Sequence, residues 1–142
     1  MNEKKLVAVG LAGLISLSVL LASTTSFAAS PRTNYLRYCS GCHLPDAQGA
    51  PPNVPSLHNE LGRMMQVSQM RAYLVQVPGS AQAPISDGEL AAVVNWLLSE
   101  YNSSTLPADF KPLTAEEVGI ARQHILADPL QHRIRYWKDY DF

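Results

Sequence analysis

A five-residue stretch, Cys39-Ser40-Gly41-Cys42-His43, constrains this chain more than any other. It reads C-x-x-C-H, the attachment signature of a c-type haem. On one turn of helix, two thiols at this spacing reach the two vinyl groups along one haem edge. The imidazole that follows lies under the iron as its proximal ligand. A covalent cofactor of that size becomes the centre of the core in a domain this small. The same thiols would also suit a tight disulfide, a redox dithiol or half of a zinc site. A zinc site needs further ligands, and the chain holds only these 2 cysteines. A redox dithiol belongs on a βαβ pattern, which is absent here, and a plain disulfide gives His43 no role.

The residues around the motif extend the pattern. Tyr35-Leu36-Arg37-Tyr38 precedes it, Pro55-Ser56-Leu57 follows it, and Ser86-Asp87-Gly88-Glu89-Leu90 opens a long apolar segment. In that order and at those separations, residues 33 to 101 resemble a class I monohaem cytochrome c domain. The resemblance implies an all-α fold wrapped around one covalent haem c, held by Cys39, Cys42 and His43. It also implies that the Pro55 carbonyl accepts a hydrogen bond from the His43 ring, which fixes the ring and makes it a better donor to iron. From the residues alone, Pro55 is equally a simple loop stop.

Met1 to Ala28 reads as a cleaved secretory signal: Lys4 and Lys5, an apolar run from Leu6 to Ala22, and small residues at Ser26-Phe27-Ala28. A retained membrane anchor is the alternative reading of that run. Export to the periplasm fits the haem, which in bacteria is attached outside the cytoplasmic membrane. Without Glu3, Lys4 and Lys5 the chain keeps 9 basic and 11 acidic residues, a net charge of -2. That is too mild for a nucleic-acid partner, and no later stretch is apolar enough to span a bilayer. The expected organisation is a signal at 1–28, a haem domain at 29–102, and a linker with a C-terminal helical extension at 103–142.

Along the chain, a helix is expected from about Asn34 into the motif. A Pro- and Gly-rich loop follows from Leu44 to Pro55. Ser56 is expected to cap a short helix to Met65, and Val67 to Val77 to form another, ended by Pro78-Gly79 and a loop to Ile85. Ser86 and Glu89 form a capping box. Behind it Leu90, Val93, Val94, Leu97, Leu98 and Tyr101 form a 3.6-residue stripe that belongs in the core. Trp96 is placed to touch the N-terminal helix or the haem edge. Thr114 and Glu117 are read as a second capping box, for a helix reaching Ala127 and closed by Asp128-Pro129. The aromatic tail from Leu130 to Phe142, with Tyr136, Trp137, Tyr140 and Phe142, is expected to fold back over the haem domain, docking on a partner being the alternative.

The sixth iron ligand does not follow the resemblance. Class I cytochromes commonly carry Met-Pro just before the last capping box, and here the dipeptide is Ala83-Pro84. An alanine methyl cannot ligate iron. Three sources remain open: a methionine (Met64, Met65 or Met70), a histidine (His58, His124 or His132), or no protein ligand at all. Arg63, Arg71 and Gln82 are candidate donors to the distal pocket or the haem propionates. The expected function is a periplasmic electron carrier between a dehydrogenase and an oxidase or another cytochrome. A ligand-binding haem protein with an open sixth position is the alternative, and no His-Arg pair supports a peroxidase.

Overall fold

The computed structural model describes residues 28–51 and 53–137. The expected signal therefore lies outside the described residues, apart from its last position. Among the described residues the protein is all-α: eight helices, no sheet, and one isolated bridge between Ala50 and Val54. None of these helices is long and apolar enough to cross a membrane.

Helix α1 spans Pro31–Tyr38, three residues earlier than expected, because Ser30 caps it by accepting from the Thr33 amide and Pro31 opens its first turn. It breaks at Cys39, and the motif forms its own single turn, α2 (Ser40–His43). Helix α3 is shorter than expected, Glu60–Met64, and its cap position is Asn59 in a left-handed conformation (φ 59°). Ser56 does not cap it, since its hydroxyl accepts from the His58 amide in the preceding turn. Helix α4 is Ser68–Gln76 and stops before Pro78 as expected, but the expected loop opens with a further turn, α5 (Pro78–Ala81), which Pro78 starts.

Helix α6, Asp87–Tyr101, is the axis of the fold. Both halves of its capping box are made: Ser86 Oγ accepts from the Glu89 amide and Glu89 Oε2 accepts from the Ser86 amide. Those bonds hold the Glu89 carboxyl below the usual range. The expected stripe is buried from Leu90 to Leu98. Val93 and Leu97 pack with Tyr35 and Ala47, while Leu90, Val94 and Leu98 join the methionines, Leu61 and Val75 in a second cluster. Trp96 meets Tyr35 at 5.4 Å between ring centroids.

Past α6 the chain turns on Asn102, which is fully buried. Its side chain donates to the Leu57 and Leu97 carbonyls and accepts from the Gly62 amide. One amide thus ties the Pro55–Leu57 segment, α3 and α6 together. Helix α7 is Ala115–Ala121, and only half of its capping box forms: Thr114 accepts from the Glu117 amide while the Glu117 carboxylate pairs with Arg71. It ends six residues short of Ala127. Asp128-Pro129 begins the next helix, α8 (Pro129–Tyr136), with Asp128 accepting from the Gln131 amide and Pro129 in the first turn. The described part of the tail, to Trp137, folds back, and Tyr140 and Phe142 lie outside the described residues. Leu113, Val118 and Trp137 are buried in the larger cluster.

Candidate functional site

The motif side of the site is built almost wholly from contiguous chain. The Cys39 carbonyl accepts from the Cys42 and His43 amides, which winds the two thiols and the imidazole onto one turn. Leu44 (φ 64°), Ala47 (φ 63°) and Gly49 (φ 67°) then take left-handed conformations that curl the loop back beneath the motif. Tyr35 holds that curl: its hydroxyl donates to the Leu44 carbonyl at 2.5 Å. Burial, reinforced by nearby Cys39, pushes its pKa up to about 12. Gly49 admits the closest approach, since a Cβ there would lie 2.5 Å from the Pro55 oxygen.

That approach brings Pro55 to the histidine. His43 Nδ1 lies 3.1 Å from the Pro55 carbonyl oxygen. An oxygen acceptor puts the proton on Nδ1 and leaves the Nε2 lone pair free to bind a metal. Burial lowers the His43 pKa, with the Pro55 bond opposing it. Both cysteines are free of disulfide, Cys39 half-buried and Cys42 exposed. Burial pushes the Cys39 thiol up.

A cavity of about 370 Å³ opens against these groups, within the size of cofactor pockets, roughly 300–1,000 Å³. Tyr38, Cys39, Cys42, His43, Pro55 and Leu57 line it from the motif side. The α6 stripe contributes Leu90, Val93, Val94 and Leu97. The rest of the lining comes from α3, α4, α5 and α8, chiefly Leu61, Tyr73, Leu74, Val77, Ser80 and Arg133. An apolar cleft, two free thiols and a pre-oriented imidazole fit a haem attached at the motif. They do not fit zinc, because among the described residues no three His, Cys, Asp or Glu side chains converge.

The remaining candidates lie elsewhere. Met64 and Met70 are fully buried and Met65 is 9% exposed, all three in the core and none in the cavity lining. His58 donates through Nε2 to the Asp46 carbonyl and stacks on Tyr101. His124 is exposed beside Glu116 and Ile120. His132 stacks on Tyr73 and meets Tyr136 at a tilt. Arg71 faces away, paired through two nitrogens with Glu117 and donating to the Lys111 carbonyl. Arg63 and Gln82 are exposed and do not line the cleft.

Two arginines that the sequence did not single out matter more. Arg133, 3% exposed, is the only charged side chain among the described residues lining the cavity. Its Nη2 donates to Glu60 Oε1 at 2.6 Å, and Trp137 Nε1 donates to the same oxygen at 2.7 Å. Arg122 clamps the segment before α6. It donates to the Ala81, Ala83 and Ile85 carbonyls at 2.8 to 3.0 Å and pairs with Asp87 at 3.0 Å.

No family model matches the chain. Two proteins called cytochrome c-552, both from Thermus thermophilus, are similar to it. One is 28% identical over 120 residues, covering 72% of this chain and 81% of the relative. The other is 31% identical over 98 residues, covering 56% of this chain and 75% of the relative.

Proposed function

Since this chain belongs to the c-type cytochrome family, we propose that it is a class I electron carrier with one haem, joined to Cys39 and Cys42 and ligated by His43. The observation that carries the assignment is the His43 Nδ1 contact with the Pro55 oxygen at 3.1 Å, beside two free thiols on one cavity. Bound there, the haem supplies a one-electron iron couple. The protein does the rest. The thioether bonds fix the cofactor edge, and Pro55 fixes the imidazole plane so that the ligand keeps its place in both oxidation states. The hydrocarbon lining from α6, Leu61 and Leu74 keeps water from the metal, which favours the less charged reduced form. Arg133 lies in the wall as a positive charge suited to the haem propionates, the role for which the sequence offered Arg63, Arg71 and Gln82.

Cys42 is exposed, so the thioether edge meets the surface. Electrons enter and leave there, through a small transient contact with a periplasmic dehydrogenase on one side and an oxidase or another cytochrome on the other. The export signal at 1–28, the haem domain at 29–102 and the appended 103–142 complete the assignment, with Ala83 where the family commonly has its distal methionine.

Purified from a host with a haem-attachment system, the mature chain is expected to stain for haem on a denaturing gel and gain the mass of one haem. It should titrate as a single reversible one-electron couple. A colourless chain of bare polypeptide mass would end the assignment.

A further inference from the structure

We infer that the sixth coordination position of this cytochrome is open, and that it takes a small neutral diatomic molecule of the carbon monoxide and nitric oxide class. The inference rests on haem attachment at Cys39, Cys42 and His43. The lining carries it first. The sulfur and imidazole side chains that reach the cavity are those of the motif alone, among the described residues. The elements α3, α4, α5 and α8 add hydrocarbon, Tyr73, Ser80 and Arg133, none of which is an ordinary axial ligand for a neutral-pH electron carrier.

The clamp carries it second. A methionine or histidine would have to be delivered by rearrangement, and the segment next to the site is tied down. Arg122 takes the carbonyls of Ala81, Ala83 and Ile85 at once. Ala83 is itself buried, 7% exposed. Met64 and Met70 would have to leave a core in which they are fully buried, giving up the packing that large-to-small substitutions show to be costly.

The character of the wall selects the ligand. The wall is mostly hydrocarbon from Leu61, Leu74 and Val77, its Tyr73 and Ser80 hydroxyls are uncharged, and Arg133 is engaged by Glu60 and, on the proposed function, by the haem propionates. A neutral molecule with low-lying π* orbitals needs no charged partner there. On the ferrous iron of a haem held by Cys39, Cys42 and His43, it would donate its lone pair and form one bond. No bond in the protein breaks and no electron leaves the complex.

The test uses the mature haem-loaded protein with carbon monoxide as the probe. A pyridine haemochrome assay first counts the haem. The oxidised protein is then expected to show a high-spin charge-transfer band and no far-red sulfur-to-iron band. The reduced protein should show a Soret shift that saturates at one carbon monoxide per haem. The substitutions Met64→Leu, Met65→Leu and Met70→Leu should each leave that shift unchanged. A normal haemochrome with a purely low-spin spectrum and no carbon monoxide shift would overturn the open site and leave the carrier assignment standing. So would any of the three variants gaining a shift that the parent lacks. A chain without a haemochrome would bring down both.

Discussion

The two sides of the cavity are made in different ways. The motif side comes from residues 38–51 and 53–57, a run of chain held mostly by bonds between near neighbours, with Asn102 as its long-range tie at Leu57. The other side is assembled from α3, α4, α5 and α8, which are distant in sequence and held by arginines that reach across the fold. Arg133 binds Glu60, 73 positions away, and Arg122 binds Ala81, 41 positions away. On the proposed function the first side would attach and ligate the haem, and the second is a packed wall. Local sequence would then specify attachment, and tertiary packing what else can approach.

The strongest way to break this comparison is at the motif. The double substitution Cys39→Ala, Cys42→Ala should abolish haem retention on a denaturing gel, while the α6 core keeps the chain helical by circular dichroism. Retained covalent haem would mean that attachment does not depend on the local turn. The packed wall is next. Arg133→Leu leaves Glu60 with Trp137 Nε1 as a remaining donor, and should cost about 3 kcal/mol in chemical denaturation. It should also lower the reduction potential, because losing a cation favours the more positive oxidised haem. An unchanged potential would place Arg133 outside the cofactor's field.

Arg122→Gln should cost less, about 2 kcal/mol, and should speed amide exchange across residues 81 to 87 without altering haem content. Exchange no faster than in the parent would show that the clamp is not what holds this segment. The smallest expected effect is acidic. The Arg71 guanidinium beside Glu117 holds that carboxyl below the usual range. A lowered folded pKa stabilises the protein above the unfolded value and is lost as pH falls through the folded one. The α4–α7 contact should therefore weaken below about pH 4, the ordinary carboxylate range. The pair is partly exposed, so the loss should stay under about 1 kcal/mol. Glu117→Gln should remove that part of the acid sensitivity, and an unaltered acid limb would show that the pair contributes nothing.

The same division explains what the sequence disclosed. Helix α6 is legible because a capping box and an apolar stripe are both local patterns. The His43–Pro55 contact is expected from the family resemblance, and the observed separation supports it over a simple loop stop. Ser56 looks like a cap in sequence, but its hydroxyl serves the His58 amide one turn earlier. Asp128-Pro129 looks like a stop, yet the residue pair that cannot continue one helix is well suited to start another. Helix α7 ends early at Ala121, and the next residue, Arg122, sends its side chain to the loop before α6. Neither Arg122 nor Arg133 stands in a recognisable motif, since the partners of both lie far along the chain.

Gly49 has a consequence that its chemistry would not announce. It carries no functional group, yet the space beside its α-carbon is filled by the Pro55 oxygen that accepts from the His43 ring. A single added methyl would push that oxygen aside and alter how strongly the nitrogen donates. If His43 ligates iron as proposed, the electrochemical set point of the molecule rests partly on a hydrogen atom, and a survey of reactive side chains would pass over the position that holds it.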